Sequence, residues 1–426
     1  MTNNKEQKDV VIDIRKKLEG VGPAVTEGCS IYRVPFDIRK HNEDAYTPKI
    51  VSIGPLHHNT HPRLQSMERH KLIYCKAFLE RTKTSLDNWI RYIEEIEPDF
   101  RRCYSDTLEF RKEELVQIIL VDSGFIFELF WKGYHEEIEK GTFLSIPLIE
   151  DTIAVDLLLF ENQLPFYVLN HLFTQSFTTT SSDGNNDIPS FSELTFKYFG
   201  FYNSPNLSFR DDSISISHFT DLVRTFHLQH PPERRPERTF DLLKHVHTAS
   251  ELSEAGVKFK VLESDCLLDL KFSGGVLQMP QLKVEDRTEV LFRNMVALEQ
   301  CHYPHESFIT DYVVILDFLI NTSRDVETLV QQKVLVNWTG DTETVVNLFN
   351  SLAKNISQSD INCNYYTLSE DLSHFYDNIC NKLKSTLRRD YCNSPWQTAA
   401  TTAAIVLLIL SVIQTVCSVL SVLPQK

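Results

Sequence analysis

The chain has 426 residues, of which 42% are apolar and 11% aromatic, including 27 Phe. This composition supplies a large buried core and indicates a folded protein rather than a disordered one. The 58 acidic residues exceed the 43 basic ones, which gives a formal net charge of −15. We therefore expect no general binding to nucleic acid or to anionic lipid headgroups, because both require a basic surface.

The cysteines and the N-terminus both favour the cytosol. Nine cysteines, an odd number without a CxxC pair, are typical of free thiols in a reducing compartment. The first nine residues contain no apolar stretch, so no cleavable signal peptide is predicted. We interpret the four Asn-x-Ser/Thr sequons as chance matches, at Asn206, Asn321, Asn337 and Asn355.

The first half of the chain has mostly helical periodicity. A helical lead-in is predicted over residues 1–30, followed by a globular domain over 31–392. Residues 108–134 predict two helices, one on each side of Asp122-Ser-Gly124. The apolar stretch 151–173 is interrupted by Pro165, so a helix should end or kink near Gln163. A polar loop is expected near 176–190.

The second half predicts a small sheet and further helices. A second loop is expected near 229–239, and its Arg-rich part (232–238) is interpreted as solvated because Glu and Pro separate the arginines. Short alternating runs over 257–284 predict a small antiparallel sheet. Helices are predicted over 286–299, 308–320, 326–333, 342–354 and 369–389. The fold class is therefore mainly α (α+β): a multi-helix globular head with one small sheet.

Residues 398–423 predict a transmembrane helix after the head. This stretch has no charged residue and contains anchor positions such as Thr398, Leu407, Leu410 and Leu423. A helix needs roughly 20 apolar residues to cross a hydrocarbon core about 30 Å thick. Residues 403–422 include twelve Leu, Ile or Val, which favour insertion by roughly 5 kcal/mol. A single-pass, tail-anchored protein is expected, in the plasma membrane or the endoplasmic reticulum.

The charges that flank this helix predict its orientation. Four basic residues precede it and one, Lys426, follows it. The positive-inside rule places the more basic flank, and with it the head, in the cytosol. The four preceding residues are Lys382, Lys384, Arg388 and Arg389.

Motifs for nucleotide binding, hydrolase or metalloprotease chemistry are missing from the sequence. The best metal candidate is His57-His58-Asn-Thr-His61, but no carboxylate or Cys lies near it in sequence. Cys301 beside His302 is the only adjacent pair that resembles a nucleophile and its base. Structural or surface roles are favoured for these residues, and we predict no catalytic, cofactor-binding or metal-binding residue.

Three polar residues in the apolar stretch, Glu161, Asn162 and Gln163, form the most informative interruption. One interpretation is that Asn162 and Gln163 tie the chain break before Pro165, because buried polar groups need partners. The other is that the three residues form the polar floor of a pocket. The candidate structural or pocket residues are therefore His57, His58, Glu161, Asn162 and Gln163.

Taken in order, several segments resemble one plant family. The first is Ile-Tyr-Arg-Val-Pro at 31–35, and the last is Leu-Phe-Arg-Asn-Met-Val-Ala-Leu-Glu-Gln-Cys at 291–301. Between them lie matching segments at 48–58, 67–71, 122–130, 157–166 and 249–259. Together they resemble the plant-specific "domain of unknown function 247" family, also called UPF0481. Leu56 and Asn59 depart from the family pattern, where an aromatic residue and Gly are usual.

The resemblance implies a C-terminal transmembrane helix and no established enzymatic activity. Some grass members of the family are implicated in self-incompatibility as pollen-side determinants, which implies recognition between proteins. Two hypotheses follow: a membrane-anchored interaction or signalling protein with an unknown protein partner, or an enzyme with an unrecognised site at the His57/His58 loop and residues 161–163. The sequence favours the first.

Overall fold

The computed structural model describes residues 14–15, 18, 28–138, 141–178, 188–211, 214–241, 243–378 and 395–422. These residues form two compact units. The first combines Met1–Phe201 with Ser208–Val223, and the second combines Tyr202–Leu207 with Arg224–Lys426. The described part is mainly helical with small sheets, so the predicted fold class is confirmed.

Helices build the first unit. Its two longest helices, Pro62–Thr82 and Lys112–Tyr134, pack against each other more extensively than any other helix pair of the unit. The helices are α1 (Phe36–Arg39), α2 (Pro62–Thr82), α3 (Leu86–Arg102), α4 (Lys112–Tyr134), α5 (Pro147–Asp156), α6 (Phe166–Thr178), α7 (Phe191–Tyr198) and α8 (Phe219–His227), which runs into the second unit.

The core of the first unit is rich in aromatic rings. Phe127 on α4 contacts Phe78 on α2 and Phe173 on α6, with ring centroids 5.1 and 5.4 Å apart. Phe130, one turn further along α4, stacks against Tyr198 at 4.2 Å. Ring pairs at these separations stabilise a core beyond the area they bury. Many of the phenylalanines of this chain therefore pack against α4 or belong to it.

Helix α4 corrects one prediction. It continues through Asp122-Ser-Gly124, where two helices were expected, because Gly124 serves a close approach rather than a break. A Cβ at Gly124 would lie 2.5 Å from Sγ of Cys75 on α2. Glycine therefore lets the two longest helices of the unit meet backbone to side chain.

The second unit combines the remaining helices with three small sheets. Its helices are α9 (Ala249–Ala255), α10 (Asp286–His302), α11 (Phe308–Leu319), α12 (Ser323–Gln331), α13 (Thr342–Leu352), α14 (Cys363–Asp377) and α15 (Pro395–Val422). The four from α10 to α13 lie close to the positions predicted between residues 286 and 354. Helix α14 begins six residues before the predicted start at 369.

The strands lie mostly at the predicted positions, but the sheet is mixed rather than purely antiparallel. They are β1 (Arg238–Thr239), β2 (Lys258–Val261), β3 (Lys271–Ser273), β4 (Val276–Met279), β5 (Leu282–Val284), β6 (Leu335–Asn337) and β7 (Ile361–Asn362). β3 and β4 form an antiparallel hairpin, and β4 inserts between β3 and β2. β2 and β4 therefore run parallel, because two reversals of direction separate them.

Arg238 corrects a second expectation. Its guanidinium was predicted to lie in a solvated loop, but only 11% of the side chain is exposed. It donates to carboxylates of Asp311 at 2.9 Å and Asp360 at 2.8 Å, and to Ser307 at 2.9 Å. The buried carboxylates need a cation, and β1 supplies it beside β7.

Several predicted features lie outside the described residues. These are most of the lead-in 1–30, the middle of the polar loop near 176–190, and the basic flank of the C-terminal helix. The individual residues concerned are Lys382, Lys384, Arg388, Arg389, Leu423 and Lys426. The predicted domain boundaries stay predictions.

Candidate functional site

An irregular segment, residues 49–54, is held in the first unit by side chains rather than by a neighbouring strand. Three consecutive N–H groups donate to the carboxylate of Asp156, from Lys49 at 2.9 Å, Ile50 at 2.7 Å and Val51 at 2.9 Å. Asp156 is the last residue of α5 and is buried. Burial raises the pKa of Asp156 to about 6, although the three N–H groups oppose this shift.

Asn162 continues this pattern. Its Oδ1 accepts a hydrogen bond from Ile53 N–H at 2.7 Å, and its Nδ2 donates to the carbonyls of Val51 and Asp156 at 3.0 and 2.9 Å. The side chain is fully buried, so each of these backbone groups would otherwise lack water. Asn162 thus links the 49–54 segment to the chain that follows α5.

Gln163 bonds to two backbone carbonyls in the turn that follows α5. Its Nε2 donates to the carbonyls of Leu157 and Leu159, both at 2.7 Å, and its Oε1 accepts from Phe219 N–H at 2.9 Å. Both carbonyls lie in the turn that follows α5, and that of Leu159 also accepts from Asn162 N–H at 2.9 Å, so Gln163 ties this turn to the start of α8. Helix α5 ends at Asp156, seven residues before the predicted break, and α6 begins directly after Pro165.

A buried ion pair fixes the far end of the segment. Asp122 accepts from Gly54 N–H at 2.8 Å and from Nζ of Lys71 at 2.5 Å. Lys71, on α2, also donates to the carbonyl of Ser52 at 2.9 Å and pairs with Glu68 at 2.7 Å. Burial would lower the pKa of Lys71, but these two carboxylates outweigh it and raise the pKa.

Glu161 and His57 meet inside the same unit. Nε2 of His57 lies 3.0 Å from Oε2 of Glu161, off the line of a well-directed hydrogen bond. The other carboxylate oxygen, Oε1, accepts from Val34 N–H at 2.8 Å and from Nη1 of Arg39 at 2.6 Å. Nη1 of Arg33 lies 3.7 Å from Oε2. Glu161 therefore gathers partners from two separate parts of the N-terminal chain.

Burial decides what this carboxylate can do. The side chain of Glu161 is 0% exposed and that of His57 is 4% exposed. Burial would raise the pKa of Glu161, but the contacts with His57 and Arg39 outweigh it and lower the pKa. One oxygen of this buried carboxylate, Oε1, accepts two hydrogen bonds, and the other, Oε2, faces the ring of His57. The arrangement suits the stabilisation of a buried charge rather than acid–base catalysis.

His58 belongs to a different environment. It lines a cavity of about 600 Å³ whose walls also include Glu68, Leu72, Glu109 and Phe110. Its ring meets Phe110 edge-on, with centroids 6.1 Å apart. His57, Glu161, Asn162 and Gln163 do not line this cavity. The structure thus buries four of the five candidates, whereas His58 lines a cavity that Asp122 and Glu68, the partners of Lys71, also line.

Other histidines lie elsewhere in the fold. His61 is exposed directly before α2, and the rings of His245 and His247 lie 5.4 Å apart, with His247 stacked on Tyr376. Cys301 and His302 lie at the end of α10. Within the described residues, no group of three or more His, Cys, Asp or Glu side chains could hold a metal ion.

The sequence reasoning missed four charged residues that bond to these segments: Arg39, Lys71, Asp122 and Asp156. A usable signal existed for two of them. Asp122 and Asp156 are single carboxylates within strongly apolar runs, a pattern that requires a specific partner once the run is buried. Lys71 lies in a helix with many exposed charges, so nothing local distinguishes it from Lys76.

The comparisons with known proteins give a family but no activity. Two UPF0481 proteins of Arabidopsis thaliana are similar to this chain. One is 27% identical over 430 residues, covering 94% of this chain and 88% of the relative. The other is 23% identical over 483 residues, covering 90% and 89%. No solved structure matches the chain.

The family model described as "Plant protein of unknown function" matches residues 31–410, which cover most of each compact unit and more than half of the apolar C-terminal helix. The match therefore confirms the resemblance drawn from the segments between 31 and 301. This chain belongs to the plant family DUF247, whose curated relatives are named UPF0481 proteins.

Proposed function

We propose that this chain is a single-pass membrane protein whose head faces the cytosol and binds a protein partner. The observation that carries the proposal is the segment Thr398–Ser418 of α15. It has 21 residues and a mean hydropathy of 2.2, and its apolar part is not buried by the other described residues. At 1.5 Å per residue it extends about 30 Å, the thickness of a bilayer core.

The exposure of individual side chains in α15 supports a lipid environment. Leu407 and Leu410 are 66% and 55% exposed, and within the described residues no other part of the chain covers this helix. Apolar patches of this size are unusual on a protein surface in water and mark an interaction or a membrane. Lipid is the occupant proposed here, because the exposure surrounds the helix rather than favouring one face.

A second apolar surface supports a partner for the head. Phe143, Ile146 and Leu148 are 43%, 47% and 73% exposed within six residues, and Phe143 stacks on His70 at 5.1 Å. We call these three residues the 143–148 patch. A concentration of large exposed apolar side chains is typical of protein-binding surfaces. By contrast, the buried charged side chains described above bond to other groups of the protein.

The anchor is tested by alkaline carbonate extraction of membranes from plant cells. The full chain should stay in the pellet, and a variant ending at residue 394 should be released. Orientation is tested in sealed microsomes: an N-terminal tag should be digested by added protease. Protection of that tag, together with glycan at Asn206 or Asn337, would contradict a cytosolic head.

The partner is tested by proximity labelling with the enzyme fused to the N-terminus. The informative variant carries Ile146→Asp and Leu148→Asp, and the matched control carries Leu86→Asp, since Leu86 is similarly exposed at 46% but lies on α3. We expect specific cytosolic proteins that lose labelling in the patch variant and keep it in the control. An identical labelled set for wild type and patch variant would reject the 143–148 patch as the partner surface.

A further inference from the structure

One side chain in α15 differs from its neighbours. Gln414 lies inside the apolar segment Thr398–Ser418, and its amide has no hydrogen-bond partner within the described residues. The hydroxyls of Thr402 and Thr415 are satisfied within the helix, since they donate to the carbonyls of Thr398 at 2.7 Å and Ser411 at 2.8 Å. Gln414 cannot complete its two donors and one acceptor in this way.

In hydrocarbon this amide requires a partner at the same depth. No water is available there, and an unsatisfied polar group is strongly disfavoured. The described residues contain one helix long and apolar enough to cross a membrane. A second copy of this chain presents the same amide at the same depth and can supply this partner.

The spacing along α15 provides a continuous contact face. Steps of three and four residues connect small, apolar and polar positions in a 3.5-residue repeat. We call this row the seam; it consists of Ala400, Ala403, Leu407, Leu410, Gln414 and Cys417. The alanines at one end allow two helix backbones to approach, and the glutamine lies at a position that faces the partner helix.

We propose that two copies of this chain associate in parallel through the seam of α15, with Gln414 of each copy hydrogen-bonded to Gln414 of the other. The inference rests on the membrane anchor of the proposed function. Both copies insert with the same orientation, so the symmetry axis brings the two amides together. Each primary amide both donates and accepts, and the pair is therefore self-complementary.

Cys417 is a native reporter of this association. It lies three residues after Gln414 on the seam, so its thiol should approach the same thiol of the second copy. The full chain in native membranes is treated with copper–phenanthroline in air, which joins two thiols as a disulfide while oxygen takes the two electrons. A dimer band on a non-reducing gel is expected, and Cys417→Ser should abolish it.

Substitutions then separate the amide from the rest of the seam. Gln414→Leu should lower the cross-linked fraction roughly three- to tenfold, the size expected from loss of interhelical side-chain hydrogen bonds, and Gln414→Asn should retain most of it. Thr402→Val is the matched control, because that hydroxyl is bonded within its own helix and lies off the seam. It should leave the cross-linked fraction unchanged.

The outcomes distinguish the two proposals. A chain that resists carbonate extraction but gives no Cys417-dependent dimer, or the same dimer yield with Gln414→Leu, overturns the association and leaves the anchor intact. A cross-linked product that contains a different protein also overturns it. Release of the full chain by carbonate instead overturns the anchor.

Discussion

Oε2 of Glu161 and Nε2 of His57 lie 3.0 Å apart inside the first unit, although 104 positions separate the two residues in sequence. The same carboxylate accepts from Val34 N–H and Arg39. These contacts hold the N-terminal chain, the 55–58 turn and the segment after α5 against each other. Glu161 therefore stabilises the fold by holding these three segments together.

Glu161→Gln should lower the free energy of unfolding by about 3 kcal/mol or more, because loss of one partner leaves buried groups without their counter-charge. The new amide also directs N–H donors at Arg39 or His57, which are donors themselves. Denaturant unfolding of the full chain in detergent, followed by Trp fluorescence, measures the change.

The matched control for this experiment is Glu114→Gln. Glu114 pairs with Arg111 at 2.9 Å, but both side chains are well exposed, at 44% and 77%. Surface pairs of this kind contribute about 0.5 kcal/mol or less. Equal losses for the two variants would contradict the assignment of Glu161 to a buried, stabilising cluster.

Lys71→Met should cost about 3–5 kcal/mol, because it leaves Asp122 buried without its cation. Adding Asp122→Asn should recover part of this loss, since both charges are then gone; the two side chains contact each other and should not behave additively. The cycle of single and double variants is measured by urea unfolding. Lys76→Met, at a side chain 76% exposed on the same helix, should change stability by less than about 0.5 kcal/mol.

Gly124→Ala should destabilise the protein by about 1–3 kcal/mol, because the added Cβ would lie 2.5 Å from Sγ of Cys75. Gly133 offers a control in the same helix, since a Cβ there would have its nearest contact 3.9 Å away, at Tyr198. Gly133→Ala should stabilise the chain by about 0.5–1 kcal/mol through helix propensity. Thermal unfolding of both variants gives opposite signs if α2 and α4 meet as described.

Asp156 predicts a pH dependence whose sign is fixed by its raised pKa. Between the ordinary value of 3.8 and about 6 the unfolded chain releases this proton while the folded chain keeps it. The contribution of Asp156 to stability is therefore complete below about pH 4 and falls by about 3 kcal/mol at most as the pH rises to about 6.

Asp156→Asn isolates this contribution. The difference in unfolding free energy between wild type and variant should change between pH 4 and 6 and level off above that range, because the other titrating groups are common to both proteins. Asp151→Asn, at an exposed position on the same helix, serves as the control. A difference that stays constant with pH would contradict the raised pKa of Asp156.

The sequence predicted the secondary-structure elements far better than the contacts between residues. Periodicity located most of the helices between 286 and 354, because it is a local property, but α5 ends seven residues before the break predicted from Pro165. The same patterns led to a wrong interpretation of Gly124, because a glycine that admits a neighbouring helix has the same sequence signature as one that ends a helix. The order β2–β4–β3 was equally hidden, since pairing depends on contacts beyond the hairpin.

The candidate residues show where local reasoning stops. Glu161, Asn162 and Gln163 stood out because polar side chains in an apolar run need partners. Those partners lie elsewhere: Asn162 bonds to Ile53, and Gln163 bonds to Phe219. Arg238 was misassigned for the same reason, because its carboxylates on α11 and before β7 are far away in the chain.

The 49–54 segment carries a consequence for how the chain tolerates changes in length. Its backbone meets Asp156, Asn162 and Asp122 in a fixed register, and its own side chains supply none of these hydrogen bonds. A one-residue insertion between Lys49 and Gly54 would displace several donors from their acceptors at once, whereas substitutions at Lys49, whose side chain is exposed, would leave every bond in place. We expect this stretch to reject insertions and deletions even at its exposed end, where single substitutions are tolerated.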